Sequence, residues 1–69
     1  MPYVNIKVTG GAEAPTVEQK AELIQGVTEL LVRVLGKNPA TTVVVIEEIP
    51  MDNWGIAGET ISVRRARKT

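Results

Sequence analysis

The residue with the most distinctive chemistry in this chain is the proline at its second position. Residues 3–8 alternate between polar and apolar, which predicts a strand that begins at Pro2. If a methionine aminopeptidase removes Met1, the nitrogen of Pro2 becomes a free secondary amine. An α-amino group titrates near pH ~8, and burial or a nearby cation would lower its pKa toward the range of an effective general base. The alternative is that Pro2 only begins a strand, where its missing N–H costs nothing.

Several other kinds of chemistry are excluded by composition. The 69 residues include no cysteine and no histidine, so disulfides, zinc sites of the Cys/His kinds, cysteine nucleophiles and histidine bases are all ruled out. No metal site and no cofactor are expected. Glu47 and Glu48 are consecutive in a predicted strand and therefore point to opposite faces, so they cannot form an acid–base pair. The spacing of Gly55 and Gly58 does not match a nucleotide-binding loop.

The balance of charge gives no reason to expect nucleic acid or a membrane as partner. Eight basic and eight acidic residues give a formal net charge of zero. The run 64–68 is locally basic, and we expect it to be a solvated tail. The longest apolar run, Val43–Ile46, is too short to span a bilayer. The N-terminus lacks the apolar region of a signal peptide, so a cytoplasmic protein is expected.

A helix over residues 16–35 is the clearest element that could support Pro2. Thr16 is a suitable N-cap, and Gln19 three residues later completes a capping box. Apolar residues then recur at helical spacing over five turns, and Gly36 suits the C-terminal cap. Gly26 lies in the middle of this helix at a cost of ~1 kcal/mol relative to alanine. Close packing against another backbone would account for it.

The remaining elements complete one small α+β domain over residues 1–69. We predict strands at 2–8 and 41–49, parallel and joined through the helix by a right-handed crossover. A hairpin or short strand follows at 51–63, in which residues 60–63 could form one more strand, and a tail follows at 64–69. The second strand is apolar at consecutive positions, which indicates that both of its faces are covered. One helix covers only one face, so a second copy of the chain is expected on the other.

Taken together, these features resemble the 4-oxalocrotonate tautomerase family. The resemblance rests on Pro2 opening a strand, Glu18-Gln19-Lys20 in the helix, a valine-rich second strand ending in Glu48, and the hairpin Trp54-Gly-Ile-Ala-Gly-Glu59. It covers nearly the whole chain. The loop Gly10–Pro15 followed by Thr-x-Glu-Gln-Lys is similar to the DmpI-like subgroup.

This resemblance implies a β-α-β protomer that assembles as a homo-oligomer, usually a hexamer built as a trimer of dimers. It also implies a cofactor-free isomerase in which Pro2 is the general base and acid. The substrate would be a small unsaturated 2-hydroxy or 2-oxo acid undergoing enol–keto proton transfer, as in the breakdown of aromatic compounds. Trp54 would make the pocket apolar, and Thr41 would place a hydroxyl near the substrate.

The chain departs from the family pattern at the two arginines that bind and polarise the substrate. The first would fall in the Gly10–Pro15 loop, which contains no arginine, and the second falls on Val43. Lys7, Arg64 or Arg65 could supply a cation instead, and each is more often a solvated surface charge. Backbone N–H groups of the glycine-rich loop are a further alternative for holding a carboxylate.

Two alternatives to a tautomerase remain open. One is dehalogenation or hydration of a small unsaturated acid, in which Asp52 or Glu59 would assist Pro2, as carboxylates do in relatives of the family. The other is a non-catalytic oligomeric homologue, which would retain Met1. With Met1 in place the nitrogen of Pro2 belongs to an amide and has no basicity.

Overall fold

A parallel pair of strands is the framework of the protomer. The computed structural model describes residues 1–67. Strands β1 (Tyr3–Thr9) and β2 (Val43–Ile49) pair in parallel along their whole length, with Tyr3 opposite Val43. The predicted parallel pairing is therefore confirmed. The second strand begins two residues later than predicted, because residues Pro39–Thr41 form a 3-10 turn.

Helix α1 (Val17–Leu35) connects the two strands and has the predicted caps at both ends. The Thr16 hydroxyl accepts the backbone N–H of Gln19 at 3.1 Å, and the Gln19 side chain accepts the backbone N–H of Thr16 at 2.9 Å. At the other end Gly36 takes the left-handed conformation (φ 66°), which a residue with a side chain adopts only at a cost. These caps satisfy backbone groups that the helix itself cannot pair.

Only one face of the two-stranded sheet is covered by α1. The ion pair between Lys20 of the helix and Glu48 of β2 identifies this face, which also carries Val4 and Ile6. The opposite face carries Lys7 and its ion-pair partner Glu47 (3.3 Å), together with a row of less polar neighbours: Tyr3, Asn5, Val43 and Val45. The described part of the protomer packs no helix on this second face.

The C-terminal segment contains the predicted hairpin but not the predicted extra strand. Strands β3 (Gly55–Ile56) and β4 (Glu59–Thr60) pair antiparallel around a two-residue turn. The prediction that residues 60–63 continue as a strand was wrong: α2 (Ile61–Ala66) follows directly, and it includes the first part of the predicted tail. The Thr60 hydroxyl accepts the N–H of Val63 at 3.2 Å and so caps the new helix. The rest of the predicted tail, residues 68 and 69, lies outside the described residues.

The isolated protomer has almost no hydrophobic core. Ile61, 5% exposed, is the one buried hydrophobic side chain among the described residues. The radius of gyration is 15.4 Å, whereas a compact domain of this length has about 11 Å. The accessible surface is 5054 Å² against about 4250 Å² for a compact monomer of this mass. Neither α1 nor α2 is long and apolar enough to traverse a lipid bilayer.

Candidate active site

Pro2 is held in place at the start of β1. Its carbonyl oxygen accepts the backbone N–H of Val43 at 3.0 Å, which extends the ladder of the sheet by one bond beyond Tyr3. The residue is half-buried, whereas Met1 before it is 89% exposed. The ring fixes the φ angle, so the direction of the Pro2 nitrogen is set by the sheet. Removal of the exposed methionine would uncover a secondary amine in a fixed position.

A short polar turn lies at the same end of the sheet as Pro2. The side-chain oxygen of Asn38 accepts a hydrogen bond from the N–H of Ala40 at 2.9 Å. The backbone carbonyl of Asn38 accepts hydrogen bonds from the hydroxyls of Thr41 at 3.4 Å and of Thr42 at 2.9 Å. Because Val43 follows directly and pairs with Pro2, the structure brings Thr41 to the end of the molecule where Pro2 lies. Sequence reasoning missed Thr42, although two threonines after Asn-Pro are typical of such a hydroxyl-bonded turn.

Trp54 lies at the opposite end of the sheet within one protomer. It follows β2 by five residues, its carbonyl oxygen accepts the N–H of Ile61 at 2.8 Å, and its side chain is half-buried. The surrounding segment is tied to the far end of β1 by the ion pair between Arg65 and Glu13. The seven-residue strands separate the two ends by about 20 Å. One protomer therefore brings Pro2 and Thr41 together but not Trp54.

The three cations considered as substitutes for the family's arginines are each paired with a carboxylate. Lys7 pairs with Glu47 at 3.3 Å, Arg64 with Glu59 at 3.6 Å, and Arg65 with Glu13. All three pairs lie on exposed or half-exposed side chains, where each contributes little to stability. In this arrangement none of the three presents an uncompensated positive charge to a substrate.

The acidic groups with shifted pKa values lie away from Pro2. Hydrogen bonds from Arg65 and from Thr9 lower the pKa of Glu13. The nearby Asn5 amide lowers the pKa of Glu47, and Lys7 lowers it further. Although Asn5 is close enough to have this effect, its buried Nδ2 atom makes no hydrogen bond of ordinary geometry with any described residue.

Asp52 and Glu59, the carboxylates considered for dehalogenation or hydration, both accept hydrogen bonds from neighbouring side chains. Asp52 accepts the hydroxyl of Ser62 at 2.5 Å, and Glu59 accepts both terminal nitrogens of Arg67, one of them at 2.6 Å. Residues 1–67 contain no group of three or more acidic side chains placed to hold a metal ion. The chemistry at this site therefore depends on what the Pro2 end of the sheet provides.

Two of the surface grooves formed by residues 1–67 have walls that do not include Pro2, Thr41 or Trp54. The first runs along α1 around Gly26, between Pro15 and Leu30. The second lies at the far end of the sheet, beside Gly10 and Met51.

Comparison with known proteins gives one consistent result. Residues 2–64 match the family model described as "Tautomerase enzyme". A probable tautomerase of Dickeya dadantii is 60% identical over 65 residues, which is 94% of each chain. A 2-hydroxymuconate tautomerase of Bacillus subtilis is 39% identical over 62 residues, covering 90% of this chain and 95% of that one. The crystal structure of DmpI from Helicobacter pylori superimposes with a TM-score of 0.85 at 45% identity, over 94% of this chain and 97% of that chain.

Proposed function

The chain belongs to the tautomerase family, and from that premise we propose that it is a cofactor-free isomerase whose catalytic base is the amine of Pro2. The observation that supports this best is the position of Pro2, half-buried at the start of β1 with its carbonyl held by Val43. An amine fixed there is a general base with a defined direction. Relatives named 2-hydroxymuconate tautomerase suggest the substrate class, a small unsaturated 2-hydroxy acid.

The proposed reaction moves one proton and needs no redox group. The Pro2 nitrogen removes the proton of the enol O–H, and the electron pair of that bond forms the carbonyl. The double bonds shift along the chain of the substrate, and a carbon at its distal end takes the proton back from the protonated proline. Protons and electron pairs balance. The half-buried setting favours the neutral amine, because desolvation disfavours the charged form.

We further propose that the active unit is a homo-oligomer. The protomer exposes about 800 Å² more surface than a compact monomer would, close to what each partner buries in a standard interface. Large apolar side chains such as Tyr3 (65% exposed) and Val34 (62%) are part of this excess. A tautomerase of Chloroflexus aurantiacus with the same fold is described as a heterohexamer. In an assembly, Trp54 of a neighbouring subunit would line the pocket around Pro2.

Replacement of Pro2 by alanine tests the proposed base. Alanine also permits removal of Met1, but it lacks the ring that fixes the direction of the nitrogen. We expect turnover of 2-hydroxymuconate, followed by ultraviolet absorbance, to fall by about 100-fold. Gln25→Ala is the control, because Gln25 is exposed on α1 and lies outside both grooves, and its rate should stay near that of the unmodified protein.

Two measurements complete the test. Intact-mass spectrometry should show loss of Met1, and light scattering should give the mass of an assembly of several 7.5 kDa chains, with six expected. Retention of Met1 would rule out Pro2 as the base, as would an unchanged rate in the alanine variant. A folded monomer at micromolar concentration would contradict the proposed assembly.

A further inference from the structure

The charged side chains in the segments that meet at the Pro2 end of the protomer are all basic. Between Leu30 and Ile46 the only charged residues are Arg33 and Lys37, and residues 1–6 contain no charged side chain. The segments that meet at this end are the start of β1, the end of α1 and the turn before β2. Acidic side chains lie elsewhere, for example at the far end of β2. A carboxylate approaching Pro2 would therefore meet cations and no competing anions within these segments.

Lys37 is one of two basic side chains among residues 1–67 that form no ion pair with a carboxylate. Five basic side chains form ion pairs within the described chain: Lys7, Lys20, Arg64, Arg65 and Arg67. Among residues 1–67 this leaves Arg33 and Lys37 without an ion pair. Arg33 lies on α1, turned away from the side that packs on the sheet, since the half-buried helix positions include Val27 and Leu31. Lys37 lies beyond the helix, in the turn that leads to β2.

The backbone that carries Lys37 is fixed rather than free. Its N–H donates to the carbonyl of Leu31 at 3.4 Å, directly after the left-handed cap at Gly36. The next residue, Asn38, accepts the hydroxyl of Thr41 in the turn before β2. That turn leads to Val43, whose N–H donates to the carbonyl of Pro2. The base of the lysine side chain is therefore anchored on the Pro2 side of the sheet.

From this placement we infer that Lys37 is the residue that binds the substrate carboxylate at the Pro2 site. This inference rests on the proposed function, because a cation is needed there only if the substrate is an acid. An ammonium group supplies a compact positive charge with three hydrogen-bond donors, which suits a carboxylate. Lys37 would select acids over neutral enols without taking part in the proton transfer.

A matched pair of substrates separates binding of the carboxylate from the chemistry. Lys37→Met should raise KM for 2-hydroxymuconate by about tenfold or more, as expected for loss of a charge-assisted hydrogen bond, and change kcat by less than about threefold. KM for the dimethyl ester of the same compound should not change. Lys37→Arg should restore most of the affinity, and Arg33→Met, which removes the same charge from the nearby helix, should have an effect below about twofold.

Failure of this inference can be distinguished from failure of the proposed function. If the unmodified protein turns over both substrates and Lys37→Met behaves like Arg33→Met, Lys37 has no role in recognition. A helix-capping role alone would lower stability and affect acid and ester equally, which would also overturn the inference. If the unmodified protein turns over neither compound, calorimetric titration with cis,cis-muconate decides the question. A tenfold weaker affinity in Lys37→Met supports the inference, and an unchanged affinity or no binding at all refutes it.

Discussion

Gly26 allows a direct test of whether the groove on α1 is a contact between subunits. A methyl group built at this position meets no atom within 4 Å in the protomer, so the chain itself has room for alanine. Alanine in a helix interior is about 1 kcal/mol more favourable than glycine. For an isolated protomer, Gly26→Ala should therefore stabilise the helix by about that amount.

The opposite result is expected if another copy packs against the groove. A methyl group inserted into a filled contact typically costs 1–3 kcal/mol, and a two-fold interface contains the substitution twice. The free energy of association would then be weakened by about 2–6 kcal/mol per dimer, which raises the dissociation constant by a factor of roughly 30 or more. The residue lies between Leu23 and Leu30 in the groove wall, where such a partner would sit.

Sedimentation equilibrium over a range of concentrations measures this constant directly. Gln25→Ala is a suitable control, because Gln25 is exposed on the same helix, lies outside the groove, and donates a side-chain hydrogen bond to Glu29 of the same helix at 3.4 Å. We expect the control to associate like the unmodified protein. An unchanged dissociation constant in Gly26→Ala, together with a gain of about 1 kcal/mol in unfolding free energy, would refute the assignment of the groove as an interface.

Substitutions at three further positions test the C-terminal segment and its ion pair with Glu13 by urea denaturation at fixed protein concentration. Thr60→Ala removes the cap of α2 and should cost about 1 kcal/mol, with Ser retaining most of it. Ala57→Gly should stabilise by about 1 kcal/mol, because Ala57 has a left-handed φ of 54° in the hairpin turn; a loss would show that this strain is absent. The lowered pKa of Glu13 predicts that its contribution is present at neutral pH and is lost as the pH falls below about 4.5 toward the folded-state pKa. Glu13→Gln should reduce this acid sensitivity, and an unaltered pH profile would contradict it.

The sequence predicted best the features that depend on a few neighbouring residues. The capping box of Thr16 and Gln19 and the left-handed cap at Gly36 are local, and both are confirmed. The parallel pairing of β1 and β2 also followed, since a strand, a helix and a strand of these lengths have few ways to connect. The position of Pro2 directly before the first strand was predicted from the alternation of residues 3–8.

The error at residues 60–63 occurred because specific hydrogen bonds outweigh the conformational preference of the side chains. Residues 60–63 are rich in β-branched side chains, which favours a strand. In the structure the Thr60 cap and the bond from the Ile61 N–H to the Trp54 carbonyl start a helix instead. The family resemblance predicts Trp54 in the pocket of Pro2, whereas one protomer holds Trp54 at the far end of the sheet, so that prediction depends on a neighbouring subunit. Lys37 was overlooked because a single lysine after a helix is common; only the absence of acidic residues around it makes it distinctive.

The near absence of a buried core has a consequence for how this protein folds. A lone protomer buries little hydrophobic surface beyond Ile61, so an unassociated subunit has little free energy of folding. Folding and association should therefore occur as a single reaction. Thermal stability should then rise with the logarithm of protein concentration. Refolding should be second order after dilution from denaturant, and newly made chains would be protected from proteases only once enough of them have accumulated.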